Sequence, residues 1–159
     1  MAQPRPVVPR IAFVLAAALL SCLIVAGCGR ATGVPSPTPA DFVGIVDQLT
    51  RAGIGVANVV SGDAGCPDPT LAPTAIAFDA QGLDQVEPVR IRVYIFRDRD
   101  AWQRLAGSVA TCARSYVTDA STYESLAPSP FVVSGQGPWA SQFSAALERA
   151  FSAAAGTGD

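Results

Sequence analysis

The sequence contains no histidine and no lysine, and methionine occurs once among its 159 residues. The absence of histidine excludes Ser-His-Asp and Cys-His catalytic arrangements and every metal site with an imidazole ligand. All 11 basic residues are arginines, and they form no cluster beyond a few alternating positions. Binding to a nucleic-acid backbone needs clustered positive charge, and the formal net charge here is -2, so we expect no nucleic acid among the partners.

Motifs for enzymatic chemistry are also missing. The chain has neither a Gly-rich phosphate loop nor a G-x-S-x-G sequence. Two pairs of acids stand out, Asp63 with Asp68 and Asp98 with Asp100, but neither has the spacing of a calcium loop. We interpret the first pair as solvated loop acids and the second as acids at a helix N-terminus. The sequence therefore predicts no catalytic residue, no metal and no cofactor.

The first 27 residues have the organisation of an export signal. Arg5 and Arg10 precede an apolar run from Ile11 to Ala26, which is shorter than the roughly 20 residues of a membrane-spanning helix. The run ends in the tetrapeptide Val25-Ala26-Gly27-Cys28. This tetrapeptide resembles the bacterial lipobox, which consists of an aliphatic residue, a small residue, Gly or Ala, and Cys. The resemblance implies that the Cys28 thiol receives diacylglycerol, that the signal is cut before Cys28, and that the new amino group is open to acylation.

Two alternatives to this interpretation stay open. Cys22 is also preceded by apolar residues, but Leu20 stands where the lipobox has a small residue, so we assign Cys22 to the apolar run. The segment could also remain as an uncleaved signal anchor. In both cases the arginines stay inside and the rest of the chain is exported. We expect attachment to the cell membrane on its extracytoplasmic side, with the outer membrane as the other site in a host that has two membranes.

The remainder divides into a tether, a domain and a tail. Residues 28–38 are small, polar and rich in proline, which is typical of an extended spacer with a reach on the order of 30 Å. Residues 39–153 contain periodic apolar segments and are predicted to form one domain, followed by a frayed tail at 154–159.

Within the domain, helices are predicted at 39–52, 99–113 and 138–152, and strands at 55–60, 74–80, 89–96, 115–118 and 131–134. Thr38 is the expected cap of the first helix, and a turn is expected at Gln81-Gly82.

The strand at 89–96 has the clearest pattern, because its apolar β-branched residues alternate with a second set of side chains. Val89, Ile91, Val93 and Ile95 are expected to be buried beneath helices. The other set is then exposed as a possible interaction face, and it consists of Arg90, Arg92, Tyr94 and Phe96. Aromatic residues with arginine are typical of binding patches, although a solvated sheet face with packed arginine stems is the alternative.

The order of these elements predicts an α+β fold in two layers, with an antiparallel sheet of about four strands and three helices mainly on one face. The layout resembles a group of small bacterial lipoproteins, which share a helix, an Ala-Gly turn and a strand, then an apolar strand, an Ala-rich helix and a final strand and helix. The matching segments are 49–56, 89–96, 101–113 and 131–147. The resemblance implies no particular activity.

Two cysteines remain once Cys22 is removed and Cys28 is acylated. Cys66 lies in a loop and Cys112 on the apolar stripe of the second helix, and an exported chain meets an oxidising environment. We expect a Cys66–Cys112 disulfide, with a buried free Cys112 as the alternative.

Taken together, the signal, the lipobox, the tether and the domain predict a membrane-anchored envelope lipoprotein with a non-catalytic binding domain and a possible envelope protein partner. A structural accessory subunit and a ligand-binding or hydrolytic domain are the alternatives.

Overall fold

The computed structural model describes residues 40–156, and within this range the chain folds into three α-helices, two short 3₁₀ helices (Ala72–Thr74 and Ala120–Thr122) and one five-stranded sheet. The α-helices are α1 (Phe42–Arg51), α2 (Arg99–Ala113) and α3 (Ser141–Ala155). The strands are β1 (Gly55–Ser61), β2 (Ala75–Gly82), β3 (Gln85–Ile95), β4 (Tyr123–Leu126) and β5 (Phe131–Gln136). Their order is β1-β2-β3-β5-β4, and all neighbouring strands are antiparallel. The predicted α+β class is confirmed, with five strands where about four were expected.

Two apolar cores lie on opposite faces of the sheet. α1 and α3 cover the first core, in which Ile45 and Phe143 pack against Phe78, Ile91 and Val93. α2 covers the second core, whose buried members are Ala64, Leu71, Ala75, Tyr94, Phe96, Val109, Cys112 and Val132. Two helices do share one face, as expected, but the predicted two-layer arrangement is wrong. β3 and β5 carry apolar side chains on both faces, and α2 is the helix that removes the second set from water.

The ends of several elements differ from the prediction. α1 begins at Phe42 and its N-cap is Asp41, whose carboxylate accepts a hydrogen bond from the Gly44 N–H at 2.9 Å. The predicted cap, Thr38, lies outside the described residues. The predicted strand at 115–118 is absent from the described structure, since the Tyr116 and Val117 N–H groups both donate to the Ala113 carbonyl and continue the turn that ends α2. The edge strand β4 was not predicted because its sequence, Tyr-Glu-Ser-Leu, has little apolar alternation.

None of the helices within residues 40–156 combines the length and the apolar character needed to cross a bilayer.

The β2–β3 hairpin turns at Leu83-Asp84 and not at the predicted Gln81-Gly82. Gly82 has a φ of 141°, and a Cβ there would lie 2.2 Å from the Gly53 carbonyl oxygen. Glycine is therefore required at this position by both the backbone conformation and the space. The Leu83 side chain packs over Gly53, so the hairpin rests on the turn between α1 and β1.

The same hairpin supplies the cap of α3. Ala140 precedes this helix and offers no capping side chain, but both carboxylate oxygens of Asp84 accept hydrogen bonds from the N–H groups of Gln142 and Phe143, at 2.9 Å each. The Gln142 N–H, followed by that of Phe143, holds the Asp84 pKa below its ordinary value. α3 runs to Ala155, and Ala154 is buried, so the predicted frayed tail from residue 154 is wrong for its first residues.

Replacing Asp84 by Asn is expected to lower the melting temperature, because an amide can accept from only one of the two N–H groups and turns a donor towards the other. The matched control is Asp47→Asn, an exposed acid on α1 whose side chain makes no hydrogen bond within the described residues. Since the folded pKa of Asp84 is lowered, its contribution is complete above the unfolded value near 3.8 and fades as pH falls through the folded pKa. Thermal unfolding of both variants at neutral and acidic pH measures this. Equal melting temperatures for the two variants at neutral pH would contradict it.

Candidate functional site

The face predicted for interaction is only partly open. Tyr94 and Phe96 are buried, with 0% and 2% exposure, beneath α2 and the loop that joins β1 to β2. The prediction of an exposed face is therefore wrong for these two aromatic residues, because α2 returns across the sheet and buries its own apolar stripe on them. Arg90 and Arg92 lie further along β3, where their side chains keep 32% and 13% exposure.

The two arginines form one network with two aspartates, which we call the Arg–Asp cluster (Asp63, Asp79, Arg90 and Arg92). Arg90 donates to Asp79 at 3.1 Å and to Asp63 at 3.5 Å. Arg92 donates to Asp63 at 3.3 Å. The Arg90 guanidinium also donates to the Asn58 carbonyl at 2.9 Å, and Asn58 donates its amide to Asp79 at 2.7 Å. The network therefore fixes the bulge of β1, where Asn58 has a φ of 50°.

Asp63 is the centre of this cluster, and the sequence interpretation of it as a solvated loop acid is wrong. Partial burial removes water from its carboxylate and by itself raises the pKa. The opposing effects are larger together: the Arg92 charge, the Gly65 N–H at 2.9 Å and the hydrogen bonds from both arginines hold the Asp63 pKa below its ordinary value of 3.8. The D-x-G spacing of Asp63 and Gly65, typical of an Asx turn, is the sequence signal that could have found it.

Tyr116 and Ser134 complete the site, and neither was predicted to belong to it. The Arg92 guanidinium lies 4.1 Å from the centre of the Tyr116 ring, a cation–π distance. The Tyr116 hydroxyl is 2.7 Å from the buried Ser134 hydroxyl. The Tyr94 hydroxyl donates to the Ala64 carbonyl at 2.8 Å. Burial, followed by the hydrogen bond shared with Tyr116, raises the Tyr94 pKa far above its ordinary value, so this phenol stays protonated.

These contacts hold the loop of residues 62–74 flat against the sheet. Ala64 and Leu71 from this loop belong to the second core. The predicted Cys66–Cys112 disulfide is confirmed and joins the loop to α2, with 5.4 Å between the two Cα atoms. Gly65 has a φ of 76°, and a Cβ there would lie 2.2 Å from the Tyr116 ring and 2.6 Å from Arg92 Nε. The loop thus approaches the stacked Arg92 and Tyr116 at a distance that only glycine permits.

A groove of about 480 Å³ runs beside the disulfide, between the loop and α2. Its lining residues are Cys66, Pro67, Asp68, Pro69, Ser108, Thr111, Cys112 and Ser115. The Asp68 carboxylate already accepts hydrogen bonds from the Thr70 N–H and hydroxyl, at 2.8 and 2.6 Å. The groove is open to solvent and its one acid is engaged within the loop, while Ser108, Thr111 and Ser115 add hydroxyl groups to its lining.

The polar groups of this arrangement are paired with one another. Within residues 40–156, every buried side-chain nitrogen or oxygen has a hydrogen-bond partner, and no three Cys, Asp or Glu side chains form a group that could hold a metal ion. Each charge of the Arg–Asp cluster faces an opposite charge. The cluster therefore pins the 62–74 loop to the sheet. The predicted lipidation residue, Cys28, lies outside the described residues.

The chain matches no protein-family model, no curated protein and no solved structure.

Replacing both Cys66 and Cys112 by Ala is expected to lower the free energy of unfolding by roughly 4 kcal/mol, because the bond closes a loop of 46 residues in the unfolded chain. Urea unfolding measures this for the variant and for the wild type, each with and without reductant. The wild type should lose the same amount when reduced, and the variant should not respond. A wild type that is insensitive to reductant would show that the bond contributes little.

Replacing Asp63 by Asn is expected to cost about 1–2 kcal/mol at neutral pH, since Arg92 loses the carboxylate that offsets its partial burial. The Asp63 pKa is lowered in the folded state, so this contribution is complete above the unfolded value near 3.8 and disappears as pH falls through the folded value. Urea unfolding from pH 7 to pH 3 measures it. Glu87→Gln, on the exposed part of β3, is the control. A deficit that persists unchanged at pH 3 would mean that the charge is not its cause.

Proposed function

We propose that this protein is a membrane-anchored envelope lipoprotein whose α+β domain acts as a non-catalytic binding module on the extracytoplasmic side. One observation carries the proposal: an apolar run behind Arg5 and Arg10 ends in Val25-Ala26-Gly27-Cys28. A charged start, an apolar run and small residues before a cut are the features of an export signal. The cysteine directly after them is the residue that the lipobox resemblance assigns to acylation.

The disulfide supports an exported domain. Structural disulfides persist in oxidising compartments and are rare in the cytosol. Cys112 is buried at 4% exposure and the Cys66–Cys112 bond closes over the second core, which is typical of a structural bridge. An environment that reduced this bond would remove a large part of the stability of a small domain.

The polar groups of the site support a non-catalytic role. Enzymes keep acids, bases or nucleophiles free to react and tune their pKa values towards neutrality. Here the Asp63 pKa is lowered and the Tyr94 pKa is raised, so neither group titrates near neutral pH. The two arginines are committed to ion pairs within the domain. Binding through the surface of a rigid domain is the activity that remains for such an arrangement.

The anchor is tested by expression of the full chain in a bacterium that processes lipoproteins, as wild type, Cys28→Ser and Cys22→Ser. We expect the wild type and Cys22→Ser to begin at residue 28, to carry the mass of a diacylglycerol thioether and to enter the detergent phase on Triton X-114 partition. Cys28→Ser is expected to keep its signal and to carry no acyl group.

Intact mass spectrometry distinguishes the alternatives. A wild-type mass that includes residues 1–27 would favour the uncleaved signal anchor. A Cys28 sulfur without acyl glycerol would refute the proposal. If Cys22→Ser lost its acyl group and Cys28→Ser kept it, Cys22 would be the acylated residue in place of Cys28.

A further inference from the structure

Several elements meet at the end of the domain where the chain enters it. The Ala40 N–H donates to the Ala154 carbonyl at 2.8 Å, so α1 starts where α3 ends. A short turn joins α1 to β1, and β1 therefore runs back beside α1 and ends near its start. The register pairs Ser61 with Ile76 and Ile76 with Val93, which places the start of β2 and the last residues of β3 at this same end. We call it the tether end.

Apolar side chains are exposed at the tether end. Val43, in the first turn of α1, is 69% exposed, and Val59 and Val60, in the last half of β1, are 47% exposed each. Ile76 and Ile95 are half-buried and line a shallow groove of about 510 Å³ together with the end of β1 and the turn before β2. Covering these β-branched side chains with an apolar phase removes them from water, which is favourable.

Charge at this end is close to balanced. Arg97, directly after β3, is 88% exposed and pairs with Asp98 at 2.9 Å. Arg99 and Asp100 follow with one charge of each sign, and Asp41, the N-cap of α1, adds one acid. These residues give no excess of basic charge that would favour an anionic occupant.

We infer that the tether end is a lipid-contact surface, through which the domain rests on the bilayer that holds its anchor. This inference rests on the acylated Cys28 of the proposed function. The chain that follows Cys28 enters the domain at Ala40, at this surface, and the spacer predicted for residues 28–38 has a reach on the order of 30 Å. The tether thus keeps the tether end at high local concentration beside the headgroups. Contact there removes Val43, Val59 and Val60 from water without any change of fold.

The test uses the full acylated protein in phosphatidylcholine nanodiscs, with the photoreactive residue p-benzoylphenylalanine at position 43 or 60. The matched control carries it at position 86. Val86 is 80% exposed, but it lies beside the β2–β3 hairpin turn, at the opposite end of β2 from Ile76. Intact mass establishes acylation of each sample before irradiation, and far-ultraviolet circular dichroism establishes its fold. Lipid adducts are then quantified by mass spectrometry.

We expect several-fold more lipid adduct at positions 43 and 60 than at 86, with little change when half of the lipid is phosphatidylglycerol. Equal yields at all positions, a higher yield at 86, or no adduct at any position of an acylated protein would each overturn the inference and leave the anchor intact. Absence of acylation would instead refute the proposed function, and the inference with it. Crosslinks from 43 and 60 to a co-purified protein in native membranes, without lipid adducts, would identify a protein as the occupant and overturn the lipid assignment.

Discussion

The hydrogen bond from the Tyr94 hydroxyl to the Ala64 carbonyl is the constraint on which the second half of the domain depends. Tyr94 lies in the central strand β3 with no exposure, and a buried phenol without a partner is costly. Its nearest acceptor is in the 62–74 loop, so that loop must lie on the sheet. Once it does, Cys66 reaches Cys112 and Asp63 reaches both arginines. The disulfide, the ion pairs and the second core all require the loop position that this hydrogen bond favours.

This arrangement explains how a small domain covers both faces of a sheet with few helices. α1 and α3 suffice for the first face, but α2 alone is too narrow for the second. The 62–74 loop covers the adjoining strip, and its Asp63 pairs with the arginines of the Arg–Asp cluster at the edge of that cover. There the sheet presents Arg90 and Asp79 as directly opposed residues on β3 and β2. Opposite charges at such a position stabilise strand pairing. This charged strip of the sheet can therefore stay in contact with solvent without a helix or loop over it.

Much of the fold follows from patterns within single elements. The alternation of β3, the apolar stripes of α1, α2 and α3, and the Asp98 cap of α2 are local signals, and the structure contains each of them. The site was less predictable because it joins residues far apart in sequence. Alternation places Tyr94 and Arg92 on one face of the sheet, but it does not predict that α2 packs on that face and buries Tyr94. Nor can local pattern show that Asp63 meets β3 or that Tyr116 stacks on Arg92, since these contacts depend on where a loop lies. β4 was missed for the same reason: it forms because β5 offers an edge, and its own sequence has little preference.

The hydrogen bond between the Ala40 N–H and the Ala154 carbonyl determines which part of the domain meets a mechanical force first. A force applied to the chain ahead of the domain arrives at Ala40, where the first helix lies against the last. The load falls first on the packing of α1 against α3 and against the first face of the sheet. The disulfide-linked half is remote from this path, because Cys66 and Cys112 lie on the opposite face. Under tension the domain is therefore expected to yield at its termini first, while the pinned loop and α2 keep their shape.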